Sequence, residues 1–150
     1  MVHQVYSIYL RVDNYCCIGF AICLLQAFQY FHNAEFLKVA IQAEQTCSAQ
    51  MHQSNVMEEF KGLGLCHGLP GLVLISLQLY SITKQDKYYK HALYGCEKLL
   101  HWKWNIQNKQ WRMPDHLWSV WEGVGGAVWA IASLLWNPTS TKGFPCVNDV

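Results

Sequence analysis

The stretch Gly62-Leu-Gly-Leu-Cys-His-Gly-Leu-Pro-Gly71, with the run Leu72-Val-Leu-Ile-Ser-Leu-Gln-Leu-Tyr80 that follows it, decides the fold class of this chain. Its glycines and proline predict a tight turn, because glycine adopts backbone conformations that are closed to other residues. The apolar run is too long for a typical strand and predicts a buried helix. This stretch therefore predicts a structural unit that consists of a glycine-rich turn and the buried helix that follows it.

The same unit occurs twice more in the chain, without gaps. Cys66-His-Gly-Leu-Pro-Gly71 aligns with Asn14-Tyr-Cys-Cys-Ile-Gly19 and with Trp121-Glu-Gly-Val-Gly-Gly126, and an apolar run follows each copy directly. Self-similarity at a period of this size is typical of repeat architectures, in which each unit buries its apolar face against its neighbours.

An amphipathic segment follows each of the first two apolar runs after a short polar break, which makes the unit a hairpin of an inner and an outer helix. The predicted inner helices span residues 20–31, 72–81 and 127–136, and the predicted outer helices span 34–49 and 87–102. The predicted apolar face of the second outer helix consists of Tyr89, Ala92, Leu93, Cys96, Leu99 and Leu100. No useful length of the chain alternates with period two, so the fold class is all-α, arranged as a layered ring or solenoid. Three such units expose apolar edges, which predicts an oligomer or a part of something larger.

Composition limits the functions that the chain can have. Its 150 residues suit one domain; 52% are hydrophobic and 14% charged, which excludes disorder for most of the chain. A net charge of +1 without a basic cluster argues against nucleic-acid binding.

Seven scattered cysteines, an odd number, predict a reducing compartment and hence the cytoplasm. The longest uncharged run, residues 14–33, carries Gln26, Gln29 and His32 at helical spacing, which favours an amphipathic helix over a membrane span. The N-terminus lacks the basic region of a signal peptide.

Cys66 and His67 are the first candidate site residues. Thiolate and imidazole are the usual zinc ligands, and a turn of small residues can direct neighbouring side chains to one point. The alternative is a buried structural cysteine beside a hydrogen-bonded histidine. Lys61, just before this turn, is either a ligand-binding cation or an ordinary exposed lysine.

The loop Trp111-Arg-Met-Pro-Asp115 is the second candidate, because the guanidinium of Arg112 is suited to binding a carboxylate. The alternative is an ordinary Pro-Asp turn ahead of a helix. Glu122 occupies the position of His67 in the third copy, and the simplest interpretation is a carboxylate that complements the dipole at a helix start.

Together these motifs resemble the C-terminal part of a LanC-like protein, the eukaryotic family similar to the bacterial lanthionine synthetase cyclases. The motifs are Lys61-Gly-Leu-Gly-Leu-Cys-His-Gly68, Arg112-Met-Pro-Asp115, Ser119-Val-Trp-Glu-Gly-Val-Gly-Gly126 and Phe144-Pro145. Each piece alone is unspecific, but their shared order and spacing are specific. The resemblance is strong over residues 61–145, weaker over 19–50 and absent over the first dozen. We therefore divide the chain into an unmatched segment, 1–13, and LanC-like hairpin repeats, 14–150.

The resemblance implies an (α/α) toroid of seven helical hairpins, of which this chain would supply about the last three. It implies a zinc ion held by two cysteines and a histidine, and an activity that adds the thiol of glutathione to dehydroamino acids in peptides. By position, Cys66 and His67 match zinc ligands, and Lys61 matches a glutathione-contacting lysine. The matched glutathione-contacting loop consists of Arg112, Met113, Pro114 and Asp115. The implied partners are glutathione and a dehydroamino-acid-containing peptide or protein, without nucleic acid or a transmembrane span, and with peripheral membrane association left open.

The chain departs from the family pattern at the remaining zinc ligand, a cysteine one repeat earlier. The ungapped register places Asn14 there, with Cys16 and Cys17 two and three residues late. An amide oxygen is a poor zinc ligand, which predicts a weak or incomplete site. A truncated gene model and true divergence both account for this departure. The function is thus either zinc-dependent thioether formation or non-catalytic binding of glutathione or a peptide. An (α/α) toroid glycosidase is disfavoured because Glu122 has no obvious carboxylate partner.

Overall fold

The computed structural model describes residues 16–51 and 62–136 of the chain. This part is helical and contains no strand, which confirms the predicted all-α fold. Its six helices are α1 (Cys16–Phe31), α2 (Ala34–Met51), α3 (Leu69–Thr83), α4 (Asp86–Leu100), α5 (Trp102–Gln107) and α6 (Val124–Trp136). No helix among these residues combines the length and the apolarity that crossing a bilayer requires.

The helices form hairpins, as the repeats predict. Helix α1 packs against α2, and α3 packs against α4. The inner helices lie side by side, because α3 also contacts α1 on one side and α6 on the other. This arrangement is that of a part of a helical toroid, with α3 at the centre of the described region.

All three inner helices begin earlier than predicted, at Cys16, Leu69 and Val124 instead of residues 20, 72 and 127, because the motifs that precede the apolar runs extend into them. Helix α3 begins at Leu69, so Pro70 lies in its first turn, where its missing N–H costs nothing. Helix α6 begins at Val124 and includes Gly125 and Gly126 in its first turn. The sequence analysis assigned these residues to turns, and the structure shows that they are helical.

The second outer helix ends earlier than predicted. Helix α4 stops at Leu100, the chain bends at His101 (φ −95°, ψ 17°), and a short helix, α5, follows that the sequence did not predict. The side-chain amide of the buried Asn105 donates a hydrogen bond to the carbonyl oxygen of Lys98 across the bend (3.4 Å). This bond helps to hold α5 against the end of α4.

The buried face of α4 also differs from the predicted one. Leu93 and Leu100 are exposed, whereas Tyr88 and Gly95 are buried with Ala92, Cys96 and Leu99. A Cβ atom on Gly95 would lie 2.5 Å from Cγ2 of Val73, so this glycine allows α4 to approach α3 closely. The close contact at Gly95 therefore shifts the buried face of α4 toward Tyr88 and Gly95. The spacing of apolar residues does not predict this shift, because glycine has no apolar side chain.

A buried polar cluster joins the two hairpins. The carboxylate of Glu44 on α2 accepts hydrogen bonds from the hydroxyls of Ser48 (2.6 Å) and Ser76 (2.9 Å), and it contacts Nδ1 of His91 on α4 (2.8 Å). These contacts connect α2, α3 and α4. Because a buried carboxylate is costly without partners, they favour one relative placement of the three helices.

Candidate functional site

Backbone hydrogen bonds shape the turn that carries Cys66 and His67. The N–H of Gly68 donates to the carbonyl of Gly64 (2.9 Å), and the N–H of Leu69 donates to the carbonyl of Gly62 (3.1 Å). Gly62 has a φ of +67°, in the left-handed region that favours glycine. These bonds fold the turn over the N-terminus of α3 and present Cys66 and His67, both half-buried, at its surface.

This turn is docked onto the corresponding turn of the third repeat. The carbonyl of Trp121 accepts hydrogen bonds from the backbone N–H of Cys66 (3.4 Å) and from its thiol (3.2 Å). A Cβ atom on Gly64 would lie 2.6 Å from that carbonyl and 3.1 Å from Cα of Glu122, so only glycine permits this approach. The two repeat turns therefore form one surface.

The side chains of Cys66 and His67 converge. Sγ of Cys66 lies in direct contact with Nδ1 of His67. A thiolate and an imidazole directed at one point are two donors of the kind that zinc prefers. The predicted pair thus brings a thiol and an imidazole, the donor types of a zinc site, into direct contact with each other.

A third donor for zinc is not found within residues 16–51 and 62–136. No cluster of three or more His, Cys, Asp or Glu side chains suitable for a metal occurs there. Asn14, at the family's ligand position, lies outside the described residues. Cys17 contacts the thiol of Cys47 between α1 and α2; that hydrogen bond lowers the pKa of Cys17 to about 7, and the bond and burial raise the pKa of Cys47.

A cleft of about 160 Å³ lies beside the Cys66–His67 turn. It brings His67 together with the predicted 112–115 loop and one further acidic residue; its lining consists of His67, Arg112, Met113, Pro114, Asp115 and Glu122. Lys61, the other predicted binding residue, lies outside the described residues. Two separately predicted motifs, the Cys66–His67 turn and the 112–115 loop, are thus placed around one opening.

The 112–115 loop is anchored by Trp111. This residue is buried, its N–H donates to the carbonyl of Asn105 (3.2 Å), and its side chain packs against Gly62 in the Cys66–His67 turn. Because Trp111 is held on both sides, the residues that follow it project into the cleft.

The charged groups of the loop are paired but accessible. Nη2 of Arg112 lies 3.2 Å from Oδ1 of Asp115, and the two side chains are 68% and 74% exposed. An ion pair in such an environment is worth at most about 1 kcal/mol. A ligand carboxylate can therefore compete for Arg112 at little cost.

The sequence analysis interpreted Glu122 as a helix-start carboxylate and did not place it in the site. The structure shows that it lines the cleft with His67, two residues before α6 begins. The available signal was the repeat register, in which Glu122 corresponds to His67. Equivalent positions of neighbouring repeats face the same opening.

Comparison with known proteins identifies a family and a curated relative. The sequence model of a family described as lanthionine synthetase C-like protein matches residues 15–147. A curated relative from Danio rerio, named glutathione S-transferase LANCL1, is 34% identical over 128 residues, which cover 85% of this chain and 29% of the relative. The chain spans less than a third of the length of that relative.

Proposed function

The chain belongs to the lanthionine synthetase C-like family, and from this premise we propose that the cleft beside Cys66 and His67 binds glutathione. One observation carries the proposal: the cleft places the 112–115 loop next to a thiol–imidazole pair. The name of the Danio rerio relative supports the choice of ligand.

The lining of the cleft suits the chemistry of glutathione. This tripeptide carries two carboxylates, which require cations, and a thiol, which must lie near the group that activates it. Arg112 provides a guanidinium with the fork geometry that binds a carboxylate. Met113 and Pro114 offer apolar contact along the peptide. We expect Lys61 to supply the second cation.

Cys66 and His67 fit a zinc ion as two of its donors. Their convergence supports this assignment, and we propose that they would hold the metal. When zinc is bound, it lowers the pKa of a thiol that it contacts and thereby makes it a nucleophile. Because closed and catalytic zinc sites normally use at least three protein ligands, we expect these residues to bind zinc weakly.

The proposed reaction forms a thioether. The sulfur of glutathione adds to Cβ of a dehydroalanine or dehydrobutyrine residue, Cα takes up a proton, and no atom is lost. Arg112 and the loop would bind glutathione through a carboxylate and thereby orient its thiol. A wider cleft of about 510 Å³ shares Arg112 and Met113 with the first, and it supports the presence of a peptide substrate nearby.

A second candidate function is binding without catalysis. It is favoured by the lack of a third metal donor among residues 16–51 and 62–136. In this case the cleft would hold glutathione or a peptide, and no thioether would form. For either function we propose the cytoplasm as the location, because free thiols and glutathione both require a reducing compartment.

The test is calorimetric titration of the purified chain with glutathione, with and without zinc. Arg112→Ala should weaken binding about tenfold, the effect of losing one charge-assisted hydrogen bond of about 1.5 kcal/mol. Lys90→Ala, which removes an exposed lysine on α4 away from the cleft, is the matched control and should bind as the wild type does. The same samples are analysed for zinc after dialysis against a mild chelator and for thioether products by mass spectrometry.

The outcomes separate the two functions. Unchanged affinity in Arg112→Ala would contradict the proposed site. Thioether formation that depends on added zinc would support the enzyme, whereas glutathione binding with no product at any zinc concentration would support the binding protein. Stoichiometric zinc that survives dialysis would contradict the expected weak site.

A further inference from the structure

The proposed ligand carries one positive charge that the roles given so far to Arg112 and Lys61 do not account for. Besides its two carboxylates and its thiol, glutathione has an α-ammonium group on its γ-glutamyl residue. A buried or half-buried ammonium group requires an anionic or strongly accepting partner. Two carboxylates line the cleft, those of Asp115 and Glu122.

Asp115 already has a charged partner. Its Oδ1 atom contacts Arg112 at 3.2 Å, and this pair lies at the exposed rim. If Arg112 binds the glycine carboxylate of glutathione, Asp115 remains next to that carboxylate, at the end of the peptide opposite to the ammonium group. The geometry of the loop therefore assigns Asp115 to Arg112.

Glu122 is in a different position. It is half-buried, and it takes part in none of the ion pairs among the residues that the structure describes. Its backbone N–H donates to Oγ of Ser119 (3.4 Å), which engages the main chain and leaves the carboxylate to the cleft. It also precedes α6, whose first turn contains no acidic residue.

The backbone fixes Glu122 relative to the thiol-binding turn. The carbonyl of Trp121 accepts two hydrogen bonds from Cys66, and Gly64 packs against the same peptide unit. The backbone of Glu122 is therefore held at a set distance from Cys66 and His67 by contacts that do not involve the 112–115 loop. The carboxylate of Glu122 and the guanidinium of Arg112 would together orient a ligand that carries both signs of charge.

We propose that Glu122 binds the α-ammonium group of glutathione and so sets the direction in which the tripeptide lies in the cleft. This inference rests on the proposed function, which it deepens by assigning a group of the ligand to a residue. In the reversed orientation Glu122 would face the glycine carboxylate with no ammonium group beside it, and this repulsion disfavours that orientation. The residue thus determines specificity for a thiol peptide with a free γ-glutamyl amino group.

The experiment compares two ligands on three variants. The ligands are glutathione and glutaryl-cysteinyl-glycine, which has the same skeleton but a hydrogen in place of the ammonium group. The variants are Glu122→Gln, Asp115→Asn and, as a matched control, Glu97→Gln, which alters an exposed glutamate on α4. Dissociation constants are measured by calorimetry, and circular dichroism checks that each variant is folded.

The wild type and Glu97→Gln should bind glutathione about tenfold more tightly than the glutaryl peptide, as a charge-assisted bond predicts. Glu122→Gln should bind both ligands alike and should bind the glutaryl peptide at least as well as the wild type. A fourth variant, Glu122→Asp, keeps the charge and should retain part of the preference. If Glu122→Gln fails to fold, Glu122→Asp and Asp115→Asn still decide the assignment.

Two results would overturn the inference alone. One is a preference for glutathione that persists in Glu122→Gln, and the other is a preference that only Asp115→Asn abolishes. A wild-type chain that binds neither ligand would overturn the proposed function as well.

Discussion

Helices α3 and α6 are equivalent in the repeat, yet they differ in burial. In α3 the eleven residues 69–79 are all buried. In α6 the buried residues are Val124, Gly126, Ala127, Ala130 and Leu134, while Leu135 is 78% and Trp136 is 93% exposed. Both sequences are strongly apolar, so composition does not cause the difference.

Neighbours cause it. Helix α3 contacts α1, α2, α4 and α6, whereas the described contacts of α6 are with α3 and α4. In repeat proteins each unit is stabilised mainly by the interfaces with adjacent units. The comparison shows that one apolar helix sequence serves two environments, and that position in the array decides how much each side chain contributes to stability.

The first way to test this comparison is a leucine truncation in each helix. Leu74→Ala in α3 removes a fully buried side chain and should lower the free energy of unfolding by about 2–5 kcal/mol. Leu135→Ala in α6 should change it by less than about 0.5 kcal/mol, because the side chain is mostly exposed. Urea denaturation followed by circular dichroism measures both values.

Equal losses in the two variants would contradict the neighbour argument. Such a result would mean that Leu135 is buried in solution, against another copy or another segment of the chain. Measuring the unfolding midpoint at several protein concentrations distinguishes self-association, since only an intermolecular contact makes the midpoint depend on concentration.

The glycines at the helix starts provide a second test, of smaller expected size. A Cβ atom on Gly71 would lie 2.2 Å from the carbonyl oxygen of Leu65, and one on Gly126 would lie 2.5 Å from that of Val120. Gly71→Ala and Gly126→Ala should each cost about 1–3 kcal/mol by forcing backbone shifts. At the equivalent Gly19, no atom of the described chain lies within 4 Å of the added methyl group.

Gly19→Ala is therefore the matched control. It lies inside α1, so it should raise the free energy of unfolding by about 0.5–1 kcal/mol through helix propensity. Thermal or urea unfolding of the three variants gives the comparison. A similar loss at all three positions would show that the glycines are equivalent in packing as well as in sequence.

The sequence predicted the helical class, the hairpins and the repeat because apolar periodicity records which residues face a core. It failed where a single backbone contact decides the outcome. The starts of α3 and α6 depend on close approaches at Gly71 and Gly126, and the exposed Leu93 depends on the contact between Gly95 and α3. Such contacts join residues distant in sequence, and periodicity does not contain them.

The candidate site shows the same division. The motifs around Cys66, His67 and Arg112 were identified from sequence, and the structure places His67 and Arg112 around one cleft, with Cys66 in contact with His67. Glu122 was missed because its partners come from another repeat and its own neighbours resemble an ordinary helix start. The local sequence indicates the chemistry that a side chain offers, whereas the packing of two repeat turns determines which side chains share a cleft.

The third and smallest effect uses a thiol to report the burial around α3. Cys96 lies on the buried face of α4, and burial raises its pKa to about 12 from 9.0. Between these values the unfolded chain releases the proton while the folded chain retains it, so folding stability falls as the pH rises above about 9. From pH 8 to pH 10 this thiol should contribute a loss of about 1 kcal/mol to the free energy of unfolding.

The difference in unfolding free energy between the wild type and Cys96→Ala should thus be constant from pH 6 to 8 and shrink by about that amount by pH 10. A difference that stays constant to pH 10 would mean that water reaches Cys96 in the folded chain. The face of α4 that packs against α3 would then be less buried than the structure shows, which would weaken the contrast between α3 and α6.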